Sequence, residues 1–223
     1  MPRIRSRLLS SVLVAAALLT ADTLKAQACL GNPSFSTNHL QVAAGASFDP
    51  STTTFGGEFT GGSETLFTGL TVGGATYENI SGGSLLAGVR AGFQVPVTSG
   101  TMQVCPIVGA EFGFGPADFD GAGTDFRSRA FTFGLAAGGE LFRSERIAIV
   151  PSLSMGFAYI GTTATGLLAT VTETETYGLA GAAIGLLLND RLSVRPSVSF
   201  PIGLDGADPI FGIGFALNYG GRR

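Results

Sequence analysis

Bulky apolar residues alternate with small or polar ones through most of this chain, and a period of two is the geometry of a β-strand. Leu192, Val194, Pro196, Val198 and Phe200 are set against Ser193, Arg195, Ser197 and Ser199. Met102, Val104, Pro106, Val108, Ala110, Phe112 and Phe114 are set against Gln103, Cys105, Ile107, Gly109, Glu111 and Gly113. The pattern predicts ten strands, at 39–48, 53–60, 64–77, 83–97, 101–115, 127–142, 146–161, 174–188, 191–202 and 209–219. Segments of about ten residues match a tilted strand crossing a bilayer. The expected fold is all-β, an antiparallel up-and-down transmembrane barrel of about ten strands. Eight strands is the alternative, with the first hairpin partly outside the barrel.

Alternation alone does not say which face points outward. Only 13% of the residues are charged, against about 25% in an ordinary soluble domain. Mean hydropathy is +0.38. The face opposite the bulky one is mostly Gly, Ala, Ser and Thr, and 34 glycines are present. Such a face covers a water-exposed surface poorly but fills a narrow barrel well. This favours lipid outside over the alternative, a soluble exported barrel or sandwich with its bulky face inward.

The connections alternate in length. Gly61-Gly62-Ser63, Thr98-Ser99-Gly100, Arg143-Ser144-Glu145 and Asn189-Asp190 are tight-turn residues. The others, 78–82, 116–126, 162–173 and 203–208, are longer, and only 49–52 is short on that side. Short turns at one end and longer loops at the other are the pattern of outer-membrane barrels, and an even strand number puts both termini beside the short, periplasmic turns.

Residues 1–28 read as an export signal. Arg3, Arg5 and Arg7 precede the apolar run from Leu8 to Leu19, and Ala26-Gln27-Ala28 offers a small-x-small cleavage site. The remaining domain is 29–223. Removing the signal takes away four basic residues (Lys25 among them, the only Lys) and one acid, so the domain is more acidic than the whole chain at −3. No basic patch remains, which argues against nucleic acid as a partner.

With the bulky face outward, Glu58, Arg90, Gln94, Glu111, Glu140 and Arg195 point inward. Isolated charges in a narrow interior are costly, so Arg90 and Arg195 are expected to meet some of the carboxylates. Such a cluster is a plug tying the wall together, or a charge-selective constriction in a small pore. Phe48, Phe93, Phe112, Phe114, Phe157, Tyr159, Phe200, Phe211 and Tyr219 are candidates for the aromatic girdles, since Trp is absent.

On this pattern the mature chain resembles the small outer-membrane β-barrels of the OmpA-barrel and opacity-protein type. The final strand, with Phe211, Ile213, Phe215, Leu217 and Tyr219 alternating and ending in an aromatic, looks like the signal read by the barrel-assembly machinery. Relatives usually stop at that aromatic, whereas Gly220-Gly221-Arg222-Arg223 follow here. No peptidoglycan-binding domain follows the barrel, so wall anchoring is not implied. The resemblance implies a bacterial outer-membrane location with lipid and lipopolysaccharide around the barrel.

Cys29 and Cys105 are the only cysteines, and export would place them in an oxidising compartment. A disulfide would pin the N-terminal segment at the barrel mouth. Acylation of Cys29 and two free thiols are the competing readings. His39 is the only histidine and opens the first strand at the short-turn end, far from where an outer-membrane hydrolase or protease needs it, so no enzyme is expected. Asp118, Asp120 and Asp125 with intervening glycines form a weak Ca²⁺-like pattern without the full spacing, and neither metal nor cofactor is expected. The function expected is structural and surface-displaying, with 116–126 and 162–173 the loops that could touch an external partner. A narrow channel for small solutes is the alternative.

Overall fold

The structure, a computed structural model, describes residues 29, 39–63, 65–78, 80–97, 102–115, 125–165, 170–189, 191–204 and 206–219. The strands are β1 (His39–Phe48), β2 (Thr52–Gly62), β3 (Leu66–Tyr77), β4 (Ile80–Phe93), β5 (Val95–Val97), β6 (Met102–Phe114), β7 (Asp125–Gly139), β8 (Phe142–Arg143), β9 (Ile147–Thr165), β10 (Thr170–Leu188), β11 (Leu192–Ile202) and β12 (Ile210–Tyr219). Two of these are short continuations. β5 follows β4 past Gln94 and pairs with β6, and β8 follows β7 and pairs with β9. The other ten form a closed antiparallel ring in chain order, because β10 pairs with β9 and β12 pairs with β1. The closed ring leaves ten strands, not eight, and removes the sheet edges that an open sheet must protect.

Register fixes the two faces, since facing residues in a ladder lie on the same side of the sheet. Around the ring, Gln41 faces Thr60 and Asn218, Glu58 faces Ala43 and Thr71, and Arg90 faces Gly69 and Gly109. These residues point into the lumen. Their neighbours Val42, Phe59, Leu70, Val89 and Val108 point outward and are exposed. At the seam between the first and last strands, Gln41 Nε2 donates to Asn218 Oδ1 at 2.7 Å inside the lumen, satisfying a polar pair that would otherwise be buried unmet.

Lumen-facing glycines let neighbouring strands approach closely. A Cβ at Gly73 would strike the Phe55 carbonyl oxygen, and one at Gly156 would strike that of Phe133. Phe67 uses a different vacancy, its ring lying where a Cβ on Gly92 would stand.

The segment 162–173, expected as a loop, is mostly strand. β9 and β10 remain paired up to Thr165 and Thr170, and β7 runs beside them, with Asp125 opposite Thr165. The hairpin therefore extends as a three-stranded ridge beyond the rest of the barrel. Thr residues are frequent in it and favour extended backbone, and Phe126, Ala164 and Val171 lie side by side across its three strands. The predicted signal 1–28 and the acidic segment 118–124 lie outside the described residues.

Candidate functional site: the lumen and the lipid face

Below mid-height the lumen is crowded with buried side chains. The side chains most hidden from solvent cluster toward the short turns: Cys29, Phe67, Cys105, Gln41, Thr60, Val150, Leu187 and Ser193. Cys29 and Cys105 are joined in a disulfide, with Cα atoms 5.9 Å apart across a sequence separation of 76. Cys29 is thus anchored inside the mouth, packed with Phe67 and Ile107, and its Sγ lies 4.0 Å from Gln103 Oε1. That sulfur is unavailable for acylation. On the opposite wall Ala148, Val150 and Leu187 form a second small apolar group. Gln94, buried at the break between β4 and β5, donates from Nε2 to the Ser63 carbonyl at 3.0 Å.

Above this filling sits a layer of charge. Arg90 Nη2 forms an ion pair with Glu58 Oε1, and Thr60 donates its hydroxyl to the same carboxylate oxygen. Arg195 reaches the same place: with Gln41, Ala43, Glu58, Arg90 and Ser193 it surrounds a gap of about 30 Å³. A polar gap of that size accommodates a single water. Breaking such a pair by deleting one partner generally costs about 3–5 kcal/mol, because the survivor keeps its charge in a poorly hydrated place.

The remaining predicted interior carboxylates are elsewhere. Glu111, facing Gly88 on β4 and Ala130 on β7, lies on the wall across the ring from Arg195 and has no ion pair among the described residues. Glu140 does not join the central layer. It is buried near the short turns and takes two hydrogen bonds from Arg143, Nε to Oε1 and Nη2 to Oε2, both 2.7 Å. The sequence places Arg143 in a tight turn, and at spacing three from Glu140 it is also that carboxylate's partner. His39 pairs with Gly62 at the short-turn end, as its place in the sequence implied.

Between the charge layer and the longer connections the lumen opens into a cavity of about 280 Å³. Its lumen-facing lining includes Ser47, Thr54, Thr71, Glu58, Glu111 and Arg195, and Leu86 is the one large apolar side chain among them.

The outer face is the inverse of the lumen. Phe48, Phe93, Phe112, Phe114, Phe157, Tyr159, Phe200, Phe211 and Tyr219 all point outward and are exposed, as do Leu70, Val72, Phe133, Leu153 and Met155 between the two ends. The band continues around every strand of the ring. An exposed apolar surface of this extent is far beyond the few hundred Å² a water-soluble monomer carries, while every backbone group in a closed ring of strands is paired, as a bilayer requires. The chain is a transmembrane β-barrel. Among the described residues no helix is long and apolar enough to cross a membrane, and the crossing is made by strands. Phe211, Ile213, Phe215, Leu217 and Tyr219 form the lipid-facing side of β12 at the seam with β1.

No protein-family model matches the sequence, and no curated protein matches it. Solved barrels are similar in architecture. The N-terminal β-barrel domain of Pseudomonas aeruginosa OprF shares 13% identity, covers 82% of this chain and 98% of its own, and has a TM-score of 0.42. Ail, the attachment invasion locus protein of Yersinia pestis, shares 9% identity with coverage of 83% and 100% and a TM-score of 0.44. The translocator domain of the Neisseria meningitidis autotransporter NalP shares 11% identity, with coverage of 97% and 94% and a TM-score of 0.46. The likeness is one of fold alone.

Proposed function

We propose that this chain is a non-enzymatic integral protein of the bacterial outer membrane. In this reading its barrel is a plugged scaffold, and its work is done by what it holds above the outer leaflet. The observation that carries the reading is the pairing of a lipid-compatible outer face with two groups of side chains packed inside the lumen. One is Glu58, Arg90 and Arg195; the other is the disulfide-held Cys29 with Phe67. Residues 1–28 serve as the export signal, the short turns and both termini face the periplasm, and β12 supplies the sequence read by the assembly machinery. The ridge of β7, β9 and β10 and the neighbouring segment 116–124 then face outward, toward lipopolysaccharide and external surfaces.

The cavity above the charge layer favours one alternative, a narrow channel for small solutes. Planar-bilayer recording separates the two. The plugged reading expects no resolved single-channel steps from the oxidised protein. Steady ohmic conductance with the disulfide intact would replace it with the channel. Protease added to intact cells should cut within 166–169 or 116–124 and spare the short turns; the reverse pattern would invert the proposed orientation.

A further inference from the structure

The ridge has one closed edge and one open edge. On the β7 side the Gly115 amide donates to the Phe126 carbonyl at 2.9 Å. On the β10 side, β11 pairs only from Gly178 onward, where Ile202 is opposite, while β9 stays paired as far as Thr170. Among the described residues, the stretch from Thr170 to Tyr177 therefore has a strand on one side only. In an antiparallel ladder each residue turns its N–H and C=O to the same side, so alternate residues of this stretch aim both groups away from β9. No turn or loop backbone bond among the described residues reaches them, and Thr170 to Thr176 are all exposed. Natural sheets blunt such an edge with Pro, a bulge, a very short strand or charge. This stretch has no Pro, and its register against β9 does not shift. Charge is the guard it carries, and the charge has one sign. Glu173 and Glu175 share a face with Val171 and Tyr177, the other face is Thr, and neither carboxylate has an ion pair among the described residues. A guard of one sign rejects acidic strands and admits basic ones.

We propose that the free edge of β10 docks an extended basic polypeptide, which adds a strand to the ridge with Lys or Arg opposite Glu173 and Glu175. Main-chain hydrogen bonds to the edge supply affinity, and alternate side chains supply specificity. Opposite charges facing each other across two strands are favourable, and like charges are not. A second copy of this chain is the wrong partner, because its own edge would bring the same two acids. The partner approaches from outside the cell under the orientation proposed above, but the edge and its chemistry do not depend on that orientation.

The test uses the full barrel with its disulfide, refolded in an uncharged glucoside detergent at about 0.15 M salt, where long-range attraction is screened. The probes are a fluorescent alternating Thr-Lys octapeptide, its Thr-Glu counterpart, and the Thr-Lys peptide N-methylated on every second residue in each of the two phases. Binding is read by fluorescence anisotropy. The expected result is saturable binding of the Thr-Lys peptide, at least about tenfold tighter than the Thr-Glu peptide. At least one N-methylated phase should abolish binding, although its charge is unchanged, because it blocks the ladder. Glu173→Gln combined with Glu175→Gln should remove the preference for Lys, with an unchanged heat-dependent shift on SDS gels to report the intact barrel. Equal binding of the two octapeptides, undiminished binding of both N-methylated phases, preference retained by the double variant, or no saturable binding in the millimolar range would overturn the proposal. A dimer in analytical ultracentrifugation that the Thr-Lys peptide dissociates would assign the edge to a second copy, and would overturn it as well. None of these results depends on which end of the barrel faces outward, so this inference and the proposed orientation fail separately.

Discussion

Replacing Val72 with Arg gives the sharpest contrast between a lipid-facing and a water-facing outer surface. Val72 is the seventh residue of the twelve in β3, points outward, and is 59% exposed. Nothing in the protein would be crowded by a longer side chain there. In a bilayer, Arg on the lipid face at mid-depth costs about 2–4 kcal/mol, and near the interface about 0–1 kcal/mol. Leu66, also outward, opens the same strand at the short-turn end. Six residues at roughly 3.3 Å each, along a strand tilted by about 40°, separate the two positions by about 15 Å of depth. That distance exceeds half of an apolar band about 25 Å tall. Val72→Arg should therefore lose about 2–4 kcal/mol and Leu66→Arg less than about 1 kcal/mol. Equilibrium urea unfolding from phospholipid vesicles measures both. The sequence has no Trp, so the folded fraction is read from the heat-dependent gel shift. If water lay outside, exposed-surface substitutions would change stability by no more than about 0.5 kcal/mol. Equal, near-zero costs at both positions would refute the assignment of the outer face.

Three further outcomes follow from the lumen. Glu58→Gln leaves the Arg90 charge uncompensated and should cost about 3–5 kcal/mol, whereas Glu58→Gln combined with Arg90→Met should recover much of that; additive losses in a double-mutant cycle would show that the pair is not coupled. Cys29→Ser removes a link closing a long loop and should lower unfolding stability by about 2–4 kcal/mol, yet the barrel should still form, because the ring of strands does not depend on Cys29; failure to form the heat-resistant species would contradict this. Gly73→Val forces a side chain against the Phe55 carbonyl and should cost about 1–3 kcal/mol or block folding, while Gly203→Ala, where φ is +83° but the surroundings are open, should cost about 1 kcal/mol; both appear as shifts in the urea midpoint.

Much of the barrel was legible in the alternation itself. In the segment from Leu192 to Phe200, parity alone separated Arg195 and its serines from the lipid face, and the register around the ring agrees. Where alternation in bulk was missing, the reading failed. Thr162, Thr163, Thr165, Thr170 and Thr172 are polar on both faces and looked like a loop, although β-branched residues were the clue to strand. The pairing of charges was harder to see. That Glu58 meets Arg90 depends on the stagger of strands around a closed ring, which local spacing does not encode. Glu140 and Arg143 are the opposite case: their partnership is local, but it forms at the break between β7 and β8, where the register against β9 slips by one residue. Cys29 and Cys105 meet across a sequence separation of 76, a contact that neither alternation nor local spacing encodes.

The central claim is that a closed ring of strands sits in a membrane with its apolar face outward. Its most direct test is to express the whole chain, isolate outer membranes, and run the protein on SDS gels with and without boiling. A folded barrel of fully paired strands resists SDS until heated, so the account predicts a membrane-fraction band whose mobility changes on boiling. A band recovered in the soluble periplasm, unchanged by heat, would contradict it.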